Sequence, residues 1–122
     1  MMKSCLIVDD SRVVRKVARK ILEDLGFGCE EVEDGKQALD SCTKKLPEFV
    51  LLDWNMPIMN GIEFLREMRK LPNGQGPVVV FCTTENDLKH IQDALAAGAN
   101  EYIMKPFDSG IIEGKLSQLG LL

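Results

Sequence analysis

Apolar and polar positions alternate along this chain in five rounds. Each round is a short apolar run, then a polar group, then a stretch whose apolar residues return at helical spacing. The runs are Ser4–Val8, Cys29–Val32, Phe49–Asp53, Val78–Cys82 and Glu101–Met104, and they are predicted as strands. Phe49-Val50-Leu51-Leu52 is unbroken and bracketed by Pro47 and Pro57, the signature of a strand buried on both faces at the centre of a parallel sheet. Cys29–Val32 is more polar and is predicted near an edge. Asp9-Asp10-Ser11 supplies capping chemistry for a helix to about Leu25, stopped by Gly26. Its apolar stripe is Val14, Val17, Ala18, Ile21, Leu22 and Leu25, with Arg12, Arg15, Lys16, Arg19 and Lys20 expected on the other faces.

A second helix follows Asp34-Gly35 to about Lys45, and a third runs from about Ile62 to Lys70, ended by Leu71-Pro72-Asn73-Gly74. Thr84-Glu85-Asn86-Asp87 resembles a capping box opening a helix to about Ala97, with Gly98 as its stop, and a last helix spans about Ser109 to Leu119. Connections this short leave no linker or domain boundary. Strict strand–helix alternation predicts one α/β domain over residues 1–122: a five-stranded parallel sheet covered by helices on both sides, with right-handed crossovers.

Composition narrows this only a little. At 122 residues, 45% hydrophobic and 28% charged, the chain has the profile of a globular domain, and its net charge of -4 argues against sequence-independent binding to DNA or RNA. Cys5, Cys29, Cys42 and Cys82 show no Cys-x-x-Cys spacing and are read as reduced packing thiols of a cytoplasmic protein. The first apolar run is cut by Asp9-Asp10, too soon for a signal peptide or a membrane span.

The chemistry lies at the strand ends. Four of the five strands deliver a polar group at the carboxyl end, namely Asp9-Asp10, Asp53, Thr83 and Lys105, and in a parallel sheet those ends converge on one crevice. Taken singly, Asp9-Asp10-Ser11 is an N-cap, Thr83 a strand residue and Lys105-Pro106 a turn. Together they are unusual, because two carboxylates about 4 Å apart repel by about 4 kcal/mol at an effective dielectric of 20. A missing cation is therefore expected, and oxygen-only ligands suit Mg²⁺ and phosphate chemistry. One carboxylate can then act as nucleophile toward a phosphoryl group while Lys105 and Thr83 stabilise its oxygens.

Asp9-Asp10, Asp53, Thr83 and Lys105-Pro106, in that order on successive strands, resemble the receiver domain of two-component response regulators. Asp53-Trp54-Asn55-Met56-Pro57 with Asn60-Gly61, and Ala97-Gly98-Ala99, point to its single-domain, CheY-like type. The resemblance covers essentially the whole chain. It implies a flavodoxin-like, doubly wound (βα)5 fold with strand order 2-1-3-4-5. Asp53 would accept a phosphoryl group from a phosphohistidine on a sensor histidine kinase or histidine phosphotransfer protein. Asp10, Asp53 and the backbone carbonyl of Asn55 would hold Mg²⁺, with Asp9 acting through water. Lys105 and Thr83 would contact the phosphoryl oxygens, and the movement of Thr83 would let Tyr102 rotate inward and alter the surface of the fourth helix, fifth strand and fifth helix for a downstream protein.

Asn55 and Glu85 match positions that tune dephosphorylation. Such a protein is not an enzyme beyond its own phosphorylation and dephosphorylation, and is expected to be a cytoplasmic monomer, with neither DNA nor membrane as partner and no output domain. Chemotaxis or motility is the expected output, with a phosphate sink, a cell-cycle phosphorelay or a constitutive interaction module as alternatives. A haloacid dehalogenase-type phosphohydrolase also places Asp after a buried strand, but has Asp-x-Asp where Asn55 stands here.

Several residues stay apart from this picture. Arg12, Arg15, Lys16 and Arg19 form either a docking face for the phosphate donor or a solvated helix face. His90, alone on its helix, is expected to be exposed and uninvolved, and Met56 and Met59 to pack within the acceptor loop. Thr84 stands where the family usually carries a smaller residue. Gly110 and Gly114 each cost about 1 kcal/mol against Ala in a helix interior, so the output surface that the family uses is expected to be weakened here and ordered by a partner.

Overall fold

The computed structural model describes residues 3–54, 56–84 and 88–122. Its elements alternate as β1 (Lys3–Val8), α1 (Arg12–Asp24), β2 (Phe27–Val32), α2 (Gly35–Lys44), β3 (Phe49–Asp53), α3 (Gly61–Lys70), β4 (Val78–Thr83), α4 (Leu88–Ala96), β5 (Glu101–Met104) and α5 (Ser109–Gln118). The strands form one parallel sheet in the order β2-β1-β3-β4-β5. The apolar run of β3 lies at the centre with every residue buried, and the polar β2 is an edge.

Period-two alternation along each strand divides the core. Leu6 and Val8 of β1, Val50 and Leu52 of β3 and Phe81 of β4 face Ala38, Phe64, Leu65, Met68 and Ala94 on α2, α3 and α4. Cys5, Ile7, Leu51, Val80 and Ile103 face Ala18 and Leu22 of α1 and Ile112 and Leu116 of α5 on the other side. The helices start where local chemistry satisfies their first amides. Ser11 accepts from Val14 N (3.2 Å), Asp34 from Gln37 N (2.8 Å) and Asp108 from Ile111 N (2.9 Å), while Asn60 and Glu63 make a reciprocal capping box on α3. The capping box read from Glu85, Asn86 and Asp87 lies outside the described residues.

Three details differ from the sequence reading. Strand β2 begins at Phe27, two residues early, because Phe27 pairs with Lys3 and its ring packs on Phe49 at 5.8 Å. The apolar stripe of α1 is narrower than its periodicity predicts. Ala18 and Leu22 are fully buried, whereas Val17 is 46% exposed and Val13 73%. Arg15, assigned to the outer faces, is instead buried. Its guanidinium fills the inner position because it donates to the Asp9 carbonyl (2.8 Å) and to Glu31 (3.2 Å).

Arg69 carries no motif, yet it joins two connections at the amino ends of β4 and β5. It donates to the carbonyls of Gly74 (2.9 Å), Pro77 (2.8 Å) and Gly98 (2.7 Å). Gly98 itself has φ +113°, the left-handed region that ends α4 without a Cβ penalty.

Helix α5 forms despite Gly110 and Gly114, held by the Asp108 cap and by buried Ile112 and Leu116. A Cβ at Gly114 meets nothing within 4 Å. Gly114→Ala is therefore expected to raise the unfolding free energy by about 1 kcal/mol, read as an increased urea midpoint at unchanged m-value.

Candidate functional site

The parallel register sets the carboxyl ends of β1 and β3 side by side, Val8 opposite Leu52. The residues that follow, Asp9 and Asp53, therefore converge above the sheet. Asp9, Asp10 and Asp53 each offer a carboxylate oxygen, and these oxygens lie within 4.8 Å of one another. Asp9 and Asp53 are buried and Asp10 is exposed, so the cluster is open to solvent on the Asp10 side.

Lys105, just beyond β5, reaches into this cluster. Its ammonium lies 2.7 Å from Asp9 Oδ2 and 3.1 Å from Asp53 Oδ1, and its backbone N–H donates to the Thr83 carbonyl at 2.8 Å. The Lys105–Pro106 peptide is cis. Burial of Lys105 disfavours its ammonium, but the hydrogen bond to Asp9 and the charge of Asp53 outweigh this and raise its pKa. Asp53 moves the opposite way for a carboxylate. Burial, with repulsion from Asp9, pushes it from 3.8 to about 6 against the pull of Lys105. One ammonium among three carboxylates leaves the cluster short of positive charge. Hard oxygen donors in a tight group, with one side open to water, fit Mg²⁺ by their chemistry.

Asp9 is the most tightly held member. Its Oδ1 accepts from Ser11 N (2.9 Å), its own N–H donates to Val32 O (3.2 Å) and its carbonyl accepts from Arg15. Arg15, Lys16 and Arg19 all contact Glu31, at 3.2, 3.0 and 2.9 Å. Burial would raise the Glu31 carboxyl, but hydrogen bonds from Arg19 and Lys16 hold it down at about 2. Three of the four basic residues considered for a docking face are thus committed to the β2 edge, and the exposed remainder of α1 combines Arg12 with Val13 and Val17.

On the other side of Asp53 the loop that follows β3 is fixed by Gly61. Its N–H donates to Trp54 O at 3.1 Å, and a Cβ placed on it would lie 2.3 Å from Asp53 O and 2.8 Å from the Phe81 ring. Only glycine lets α3 start this close to the acceptor's own peptide. Ile58 in the same loop is 81% exposed at φ +70°, a conformation that β-branched residues rarely adopt. Met56 is buried in the core and Met59 packs against it, as loop packing predicts.

Thr83 is buried at the end of β4, one position past the Asp53–Cys82 register pair. Tyr102 on β5 is half-buried against the α2–α3–α4 side of the core, in register with Phe81. Thr84 is exposed. Asn55 and Glu85 lie outside the described residues. His90 is not the exposed residue expected from its isolation. Its ring is half-buried and meets Trp54 edge-on at 4.6 Å, and Trp54 in turn packs on Phe81 at 5.5 Å. The sequence holds no signal for this contact, because α4 and the acceptor loop meet only in the folded chain.

Comparison with known proteins places this geometry in a family. The family model for the response regulator receiver domain matches residues 5–117. The chemotaxis protein CheY-3 of Vibrio cholerae is 38% identical over 115 residues, covering 93% of this chain and 88% of that protein. The solved structure of the chemotaxis response regulator CheY4 of Vibrio cholerae superposes with a TM-score of 0.92 at 30% identity, over 98% of this chain and 99% of that one. The receiver domain of sensor histidine kinase PA1611 from Pseudomonas aeruginosa, solved with a magnesium ion coordinated in its active site cleft, is similar at TM-score 0.88 and 28% identity over 97% of both chains.

Two outcomes follow from the geometry of Asp53. Because its folded pKa lies above its unfolded value, ionising it opposes folding, and the protein loses stability as pH rises from about 4 to about 6. In the absence of divalent cations Asp53→Asn is expected to be more stable than the parent at pH 7 by about 1–2 kcal/mol, with desolvation and Asp9 repulsion outweighing the lost Lys105 bond. The difference should fade as pH falls from 6 toward 4 in denaturant titrations. Gly61→Ala, by contrast, forces a methyl into the Asp53 carbonyl and should cost about 1–3 kcal/mol, visible as a lowered melting temperature.

Proposed function

As the chain belongs to the response regulator receiver domain family, we propose that it takes a phosphoryl group onto Asp53 from a phosphohistidine donor and signals through phosphorylation-dependent protein binding. The observation that carries this reading is the convergence of Asp9, Asp10, Asp53 and Lys105 at the carboxyl ends of β1, β3 and β5. In the transfer an Asp53 oxygen forms the new bond to phosphorus as the phosphorus–nitrogen bond of the donor breaks, and the imidazole leaves with the electron pair.

This chain's residues act mainly by position and charge. Lys105 lies 3.1 Å from Asp53 Oδ1, where its ammonium can follow the charge that moves onto the phosphoryl oxygens. Thr83, buried at the neighbouring strand end, offers a hydroxyl to one of them. Asp10 and Asp53, with the Asn55 carbonyl, would hold Mg²⁺, and Asp9 would act through water. When bound, Mg²⁺ supplies the positive charge that favours ionised Asp53 and offsets the charge of the incoming phosphate. The magnesium in the PA1611 receiver cleft supports this assignment by similarity.

Two surfaces suit the partners. The donor, a histidine kinase or phosphotransfer protein, would meet α1 beside the crevice, where Val13 and Val17 are exposed next to Arg12. The downstream protein would meet α4, β5 and α5, whose exposed apolar residues are Leu88, Leu95 and Ile111. Tyr102 connects that surface to the core and can report the state of Thr83 only if the two packings differ in their affinity for the phosphorylated site. Among the described residues no helix is long and apolar enough to cross a membrane. A motility-type output is the reading favoured by 38% identity to a chemotaxis protein.

Trp54 provides the test, because its ring adjoins the acceptor. Mg²⁺ followed by beryllofluoride or acetyl phosphate is expected to change its fluorescence and, with acetyl phosphate, to add one phosphoryl group by intact mass. Asp53→Asn should abolish the added mass. No metal response and no adduct, even from a phosphohistidine donor, would overturn the proposed function.

A further inference from the structure

A second reactive pair lies away from the acidic crevice. Cys5 of β1 and Cys29 of β2 are register partners in the parallel ladder. Both side chains enter the same core, beneath α1, and both are free thiols. Neighbouring strands run about 4.8 Å apart, within the roughly 4.4–6.8 Å Cα separation that a disulfide spans. The Cys29 thiol donates to the Phe27 carbonyl at 4.0 Å, with Cys5 as its neighbour across the ladder.

Their surroundings make them unequal. Cys5 is the more deeply buried of the two, and burial, followed by the neighbouring Cys29, raises its pKa well above the ordinary thiol value. Cys29 lies on the edge strand, and it and Cys5 both border an open cavity of about 460 Å³ whose wall includes Arg19, Glu23 and Lys44. The neighbouring Cys5 thiol lowers the pKa of Cys29 against burial and the charge of Glu23, with Arg19 helping and Glu31 opposing. The remaining thiols contrast with it. Burial pushes Cys42 up to about 11 and Cys82 up to about 12. Cys29 is the cysteine that combines a lowered pKa, a place on the edge strand beside the cavity and a second thiol in register.

We propose that Cys5 and Cys29 form a reversible redox site, in which Cys29 reacts with a hydroperoxide entering from the sheet-edge cavity and Cys5 resolves the product to an intramolecular disulfide. The Cys29 thiolate attacks one peroxide oxygen, the O–O bond breaks, and the leaving hydroxide takes up a proton as water. Cys29 is then a sulfenic acid. The Cys5 sulfur attacks the Cys29 sulfur, the S–O bond breaks, and the released hydroxide leaves as water with the Cys5 proton. In sum the two thiols lose two electrons and two protons, and hydrogen peroxide takes up both to become two waters. Directly opposed residues hold their Cβ atoms at about the strand spacing, wider than the disulfide mean of about 3.8 Å, so the bond is under tension and readily reduced. That tension suits a switch rather than a permanent brace.

The test uses the full reduced chain and hydrogen peroxide. In the native protein, iodoacetamide is expected to label Cys29 about tenfold faster than Cys42 or Cys82. After peroxide, intact mass should fall by two hydrogens, non-reducing peptide maps should show Cys5 linked to Cys29, and dithiothreitol should reverse both. Cys5→Ser should stop at a sulfenic acid on Cys29 that dimedone captures, and Cys29→Ser should abolish the mass loss. Where a serine disturbs the core, Cys5→Ala and Cys29→Ala carry the same expectations. The proposal fails if Cys29 labels no faster than the buried thiols, if it proceeds to sulfinic acid in the parent without cross-linking, or if the only disulfide found joins separate chains.

Discussion

Three carboxylates share a small space at the carboxyl end of this sheet, and the Lys105 ammonium is what lets the fold keep Asp9 and Asp53 together. The constraint reaches across the molecule. β5 is an edge strand, separated from β3 by β4, so Lys105 must bridge two strand spacings, roughly 10 Å, to reach the acceptor. A long, flexible ammonium side chain meets that requirement, and the bond from Lys105 N to Thr83 O anchors its base. The arrangement balances only in part. Burial first, and repulsion from Asp9 second, still hold Asp53 up at about 6.

Asp53 is held from both flanks by features of different origin. On one side the peptide of Asp53 lies against the start of α3, where Gly61 permits the approach and the Asn60–Glu63 capping box fixes the helix end. On the other side Asp9 is tied through its amide to β2, through its carbonyl to Arg15 and through Arg15 to Glu31. Glu31 thereby joins the first helix, the edge strand and the acidic crevice in one network. Trp54 carries the acceptor's position onward to His90 on α4, so the helix expected to face a downstream partner touches the residue next to Asp53. This contact is a physical link between site and surface. Its use as a switch rests on the population shift proposed above.

The β2 edge combines structural and chemical roles. It ends the sheet, supplies the anion for three basic side chains of α1, and brings Cys29 beside Cys5. Both thiols are buried, but Cys29 sits on the edge strand while Cys5 sits on the adjacent interior strand. That asymmetry is what separates a reacting from a resolving cysteine, and it arises from topology rather than from spacing in the chain.

The sequence by itself determined what depends on local periodicity and composition. It gave five strand–helix rounds, a fully apolar third strand, a polar second strand at an edge, and polar groups at four strand ends, because side-chain period and capping chemistry act over neighbouring residues. From these the crevice and its acidic and lysine residues were legible, and the resemblance added strand order. Tertiary structure decided what depends on which elements meet. Arg15 turned inward because Asp9 O and Glu31 wait there, at 2.8 and 3.2 Å. Val17 left the core because α1 buries a narrower stripe than its apolar pattern suggests. His90 found Trp54, Arg69 found three distant carbonyls, and Cys5 found Cys29 only through folding, since a contact between residues far apart in sequence leaves no periodic trace in either segment.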